Sequence, residues 1–205
     1  MKEFWNETMT QASWEKLQQL SKEFEFVLIG GWAAYLWTKA HKSKDIDIVV
    51  DYSILQKLSR KYRLEKNERL RKYEIKLGEF DIDVYLSHFS RLALPVEELN
   101  KHTAMVESIR TVNPETLVIL KQGAEIERRS SIKGRKDRID ILTLLICSPF
   151  DPRKYKKLLA KYSLENYLNE LMNEIQSFSK DDLPYIGMNA HSFAKWKKEF
   201  INEFI

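Results

Sequence analysis

Three aspartates and two glycines are the residues of this chain best placed to do chemistry. Asp45 and Asp47 stand at i and i+2 in the run Lys44-Asp-Ile-Asp-Ile-Val-Val50. The alternation and the β-branched end predict a strand, on which i and i+2 share a face and lie roughly 6.6 Å apart. Carboxylates so placed can share hard cations, for which oxygen donors suit Mg²⁺. Paired metals about 3.5–4 Å apart can flank an in-line displacement at phosphorus. A later run, Phe80-Asp-Ile-Asp-Val-Tyr85, repeats the alternation. On a neighbouring strand, Asp83 would complete a metal triad and act as general base for an attacking hydroxyl, with Asp81 in reserve. Gly30-Gly31 closes the apolar run Phe26-Val-Leu-Ile29. Glycine admits a close backbone approach, and amides at a strand-to-helix turn point at phosphate oxygens. A phosphate cradle beside paired carboxylates is the minimum apparatus for nucleotidyl transfer. Each part alone has a plainer origin: Asp-x-Asp in an exposed strand face, Gly-Gly in a tight turn, and Asp81 and Asp83 in a half-solvated hairpin.

The elements that must position these residues follow from periodicity. Trp14, Leu17, Leu20 and Phe24 recur at helical spacing over residues 11–24. Strands are predicted over 26–29, 44–50, 72–77, 80–86 and 108–112, with a hairpin at Gly78-Glu79. Helices are predicted over 32–40, after Asp51 as N-cap, and over 95–106. Asn113 and Pro114 mark a strong helix start. Beyond it only helical patterns appear, over about 135–147, 153–162, 164–178 and 192–204. The predicted fold is α/β (α+β): a mixed sheet with flanking helices over 1–112, then an all-helical region over 113–205.

Composition sets the outer bounds. At 205 residues, 43% hydrophobic and 31% charged, the chain can bury a real core, and low-complexity classes are excluded. The single cysteine, Cys147, excludes an internal disulfide and any multi-cysteine metal site. A net charge of +4 permits polyanionic partners without demanding them. The longest apolar run, Phe26 to Trp37, is shorter than the roughly 20 residues a bilayer needs, and the start has no signal core. The expectation is a cytoplasmic protein with no membrane association. The stretch Arg128–Arg138 holds six basic residues against one acid; it is a solvated loop by default, or a guide for an RNA acceptor.

The diglycine, short helix, Asp-Ile-Asp and later acidic strand together resemble the polymerase-β-type nucleotidyltransferase superfamily. The chain is most similar there to the AbiEii-like family of abortive-infection toxins. The likeness spans roughly residues 25–145 and extends to Pro114–Ala124, Arg128-Arg129 and Lys136–Asp140. It implies a mixed-sheet nucleotidyltransferase core that moves an NMP from an NTP to an acceptor hydroxyl with Mg²⁺ or Mn²⁺, releasing pyrophosphate. Asp45, Asp47 and Asp83 would be catalytic and hold the metals. Gly30, Gly31, Lys42 and Ser43 would meet the triphosphate, Lys121 would contact it, and Asp137 would hold or orient the site. The acceptor would be RNA or a small molecule. A non-catalytic nucleotide-binding module with a partner chain in a toxin–antitoxin pair is the alternative. Two departures stand out. Trp32 follows the glycines where Ser or Thr is common, and Lys42 stands where Arg is common, a point charge in place of a bidentate fork. Lys121 could otherwise snorkel at a surface, and Asp137 and Asp140 could pair with nearby basic residues.

Overall fold

A computed structural model describes residues 7–204, which divide into two compact units meeting at Asn113–Pro114. The mixed α/β class expected from the pattern is the one observed. In the front unit, α1 (Glu7–Glu23) leads to β1 (Val27–Ile29), α2 (Gly30–Thr38), β2 (Ile46–Val50) and α3 (Tyr52–Lys61). Then follow β3 (Glu65–Asn67), β4 (Lys72–Lys76), β5 (Asp81–Leu86), a 3-10 turn (Val96–Lys101), β6 (Thr103–Val106) and β7 (Ile109–Val112). The seven strands form one sheet in the order β3-β4-β5-β2-β1-β7-β6. β2 runs parallel to β5, and β1 parallel to β7; the other neighbours are antiparallel.

The period of two sorts the central strands by face. Ile46 and Ile48 on β2, and Ile82 and Val84 on β5, are fully buried on the apolar side, where Ile75 of β4 joins them. Asp47, Asp83 and Glu74 alternate with them on the opposite, partly exposed face. Asp51 caps α3 by accepting from the Ile54 N–H at 2.8 Å. Trp32 is fully buried, donates to Ser13 Oγ at 2.9 Å and contacts the rings of Trp14 and Tyr35. It anchors α2 to α1, which is why the position after the glycines carries an indole and no hydroxyl.

One expected helix is not continuous. Residues 95–106 hold a 3-10 turn and then strand β6. The chain returns to β7 through Glu107 and Ser108, both at positive φ (48° and 64°). That is the backbone of a two-residue hairpin turn with right-handed twist. Glu-Ser lacks the Asn-Gly signature of such a turn, so the spacing gives no warning of it. β3 is likewise unannounced: Glu65-Lys66-Asn67 is a polar edge strand with no apolar residue.

The second unit contains α4 (Pro114–Arg128), α5 (Ile132–Cys147), α6 (Pro152–Lys161), α7 (Asn166–Ser177), a 3-10 turn (Lys180–Ile186) and α8 (Ala190–Asn202). Ser131 caps α5, accepting from the Gly134 N–H at 3.0 Å. A Cβ at Gly134 would lie 2.3 Å from the Arg128 carbonyl oxygen, so only glycine permits this tight α4–α5 corner. Among the described residues, no helix is long and apolar enough to cross a membrane.

Candidate active site

The site is built on one transverse row of the sheet. Asp47 of β2 lies in register with Asp83 of β5, and Asp83 in register with Glu74 of β4. Ile29 of β1 pairs with Asp47 on the other side. Three carboxylates therefore stand side by side across three adjacent strands. Asp45, just ahead of β2, accepts from the Asp81 N–H at 3.2 Å, and its charge is felt at Asp83. Asp47 Oδ1 lies 3.4 Å from the Tyr85 hydroxyl. Asp81 pairs with Lys76 at 2.8 Å.

Gly30 sits against this row. Its φ is +70°, and a Cβ there would lie 2.1 Å from Asp47 Oδ2 and 2.6 Å from Asp47 Cγ. The strand-to-helix bend thus passes so close to a carboxylate that no side chain fits. Gly30 opens α2, and the preceding Ile29 supplies no side-chain cap. The first-turn N–H groups of α2, and the positive end of its dipole, are an inherent anion site. Gly31 is buried behind the bend; Lys42 is half-buried and Ser43 buried in the segment entering β2.

Electrostatics favour an added cation. Asp45, Asp47, Glu74, Asp81 and Asp83 bring five carboxylates to this face, and Lys72 and Lys76 bring two ammoniums. Lys72 Nζ lies 2.5 Å from Asp83 Oδ2 and 3.1 Å from Glu74 Oε1. Burial works against the Lys72 charge, but these carboxylates outweigh it and hold the amine above its ordinary value. Burial raises the Asp83 carboxyl despite Lys72, and the Glu74 and Asp45 charges push the same way. One ammonium is shared among more carboxylates than it can neutralise.

Among the described residues, no group of three or more His, Cys, Asp or Glu side chains forms a cage that could hold a metal unaided. Mg²⁺ rarely needs one; it is held by one or two carboxylates plus substrate phosphates. The hard oxygen donors of Asp47 and Asp83, in register beside the Gly30 cradle, fit that mode.

In the second unit, Lys121 is 7% exposed and lies 2.7 Å from Asp140 and 3.1 Å from Asp137. Asp137 also accepts from Arg128 at 2.7 Å. Burial would lower the Lys121 amine, but Asp140 and Asp137 reverse the effect and hold it above its ordinary value. Lys121 is thus the centre of a buried ion-pair cluster, neither snorkelling nor at a surface. The basic stretch is similarly engaged. Arg129 and Arg138 pair with Glu125, Arg135 with Asp182, and Lys136 with Asp140, so five of its six cations carry a carboxylate partner. The charge of this stretch, a solvated loop by default or a guide for RNA, is largely paired within its own unit.

Sequence spacing missed Glu74, Lys72 and Tyr85. The sole signal of Lys72 and Glu74 is polar alternation in Lys72-Tyr-Glu-Ile-Lys76, and only the β4–β5 register places them at the site; Tyr85 shares the face of Asp83 on β5 and meets Asp47 across the β2–β5 pair.

No family model matches the chain, and no curated protein matches it. Solved structures do. The Megavirus polyadenylate synthase is 14% identical with a TM-score of 0.48 over 69% of this chain. The chain spans only 32% of that protein's length. JHP933 from Helicobacter pylori is 14% identical, TM-score 0.47, with 97% of each chain covered. An antigenic nucleotidyltransferase-like protein from Paracoccidioides brasiliensis is 14% identical, TM-score 0.41, covering 82% of this chain and 92% of that one. Likeness at this level assigns neither family nor activity.

Proposed function

We propose that the chain is a divalent-metal-dependent nucleotidyltransferase, moving an NMP from an NTP to an acceptor hydroxyl. The observation that carries this is the in-register pair Asp47–Asp83 beside Gly30, whose absent Cβ leaves the α2 N-terminus against a carboxylate. Asp45, Asp47 and Asp83 would hold Mg²⁺ or Mn²⁺, which supplies Lewis-acid stabilisation of charge on the transferring phosphoryl group. The amides of Gly30 and Gly31 would bind triphosphate oxygens, with Lys42 adding charge and Ser43 lining the approach. The acceptor oxygen bonds to the α-phosphorus as the bond to the β-phosphate bridge breaks. The hydroxyl proton passes to Asp83, and pyrophosphate leaves. Positioning and preorganised charge do most of the work in transfers of this kind.

The test is incubation with each α-labelled NTP, Mg²⁺ or Mn²⁺, and RNA, small-molecule or protein acceptors. Label on an acceptor, lost in Asp47→Asn and Asp83→Asn variants with native far-UV spectra, supports the proposal. Nucleotide binding without transfer points to the regulatory module of a toxin–antitoxin pair. Undiminished turnover in the double variant excludes the site.

A further inference from the structure

Lys72 touches Asp83, the proposed base, yet the chemistry above gives it no role. It is held between two carboxylates. Its Nζ bridges Asp83 and Glu74, and its side chain is only 12% exposed, against 15% and 13% for the two carboxylates. Glu74 is anchored independently of Lys72: Asn67 Nδ2 donates to its Oε1 at 3.1 Å, and Lys76 lies 3.1 Å from its Oε2. Asp83 has no comparable second anchor among the described residues. The lysine therefore has a fixed carboxylate to retreat to, and Asp83 is the partner it can release.

We infer that Lys72 is a resident counter-ion of the site: its ammonium occupies Asp83 while no divalent ion is present, and it withdraws onto Glu74 when an ion takes the Asp83 oxygens. This rests on the metal-dependent reading of the site and adds its regulation. Without a cation, the row Asp47–Asp83–Glu74 would place three negative charges side by side on adjacent strands, a destabilising arrangement. Lys72 lets the sheet fold with that row intact. The same contact makes it a competitor for the metal, so the site fills only when a stronger cation, or an ion brought in with the NTP phosphates, arrives. Lys72 is a positioning residue, acting through Asp83 and Glu74.

The test is Mn²⁺ binding to the full chain without nucleotide, read from the electron paramagnetic resonance signal of free Mn²⁺. Lys72→Met should bind Mn²⁺ about tenfold or more tightly than the wild type, since the competing charge is gone. Lys72→Arg, which keeps the charge, should stay close to wild type. Lys72→Gln serves if the methionine variant fails to fold, with the same expected direction. In parallel, the melting temperature of Lys72→Met should fall without metal and recover more than the wild type's on adding Mn²⁺. A merely structural lysine would weaken metal binding when removed. Unchanged or weaker Mn²⁺ affinity in the neutral variants overturns the inference while leaving the metal site standing. If neither wild type nor variant takes up Mn²⁺ even with a non-hydrolysable NTP present, the metal-dependent reading falls, and this inference with it.

Discussion

Replacing Gly30 with alanine is the sharpest perturbation of the site that leaves every charge in place. Two costs add. An L-residue at φ +70° pays about 1–2 kcal/mol for the left-handed backbone. The new Cβ, 2.1 Å from Asp47 Oδ2 and 2.6 Å from Cγ, forces that carboxyl out of its rotamer, for roughly 1 kcal/mol more. The expected loss is about 2–3 kcal/mol in urea denaturation. Pairing the change with Asp47→Ala separates the two. The alanine keeps only a Cβ, 2.9 Å away, so the carboxyl's part of the clash disappears while the Cβ contact and the backbone penalty stay. The double-mutant cycle should show about 1 kcal/mol of favourable coupling between the substitutions. Nucleotide and Mn²⁺ binding should both fall in Gly30→Ala, because the carboxyl moves. Strict additivity of the two substitutions, or an alanine variant as stable as the wild type, would show that the bend does not press on Asp47.

Two further outcomes follow from the helical unit. Lys121→Met strands Asp137 and Asp140 in a buried site with one cation fewer, and should destabilise the protein by about 3–5 kcal/mol in thermal or urea melts; a loss below 1 kcal/mol would remove Lys121 from the centre of that cluster. Glu174 is 5% exposed, and burial together with the neighbouring Glu125 pushes its carboxyl up to about 8 from 4.5. The folded state holds this proton more tightly than the unfolded chain. Its contribution is complete below pH 4.5 and is lost as pH rises through about 8. Stability should therefore decline by a few kcal/mol across that window, and Glu174→Gln should flatten the decline. A pH profile identical to wild type in the glutamine variant would refute it.

Local pattern carries the elements whose burial is one-sided. Ile46 and Ile48 against Asp47, and Ile82 and Val84 against Asp83, announce half-buried strands, and the observed faces follow that alternation. Pro114 announces the start of α4 because its missing N–H is harmless there. What stays hidden depends on pairing at a distance. β3 is polar and lies at the sheet edge, so no apolar period marks it. β6 is held by its ladder to β7 and turns back through two non-glycine residues at positive φ. Trp32 looks like a departure at the site until its indole is found against Ser13 and Trp14 in the core. Lys72 and Glu74 enter the site through strand register alone, and Lys121 meets Asp137 and Asp140 from the next helix, beyond any i,i+4 spacing.

The most direct measurement is anomalous scattering from crystals grown with Mn²⁺ and a non-hydrolysable NTP. A manganese peak is expected with Asp47 and Asp83 among its ligands, triphosphate oxygens on the Gly30–Gly31 amides and Lys72 turned toward Glu74. A nucleotide bound elsewhere, or manganese with neither aspartate among its ligands, would contradict it.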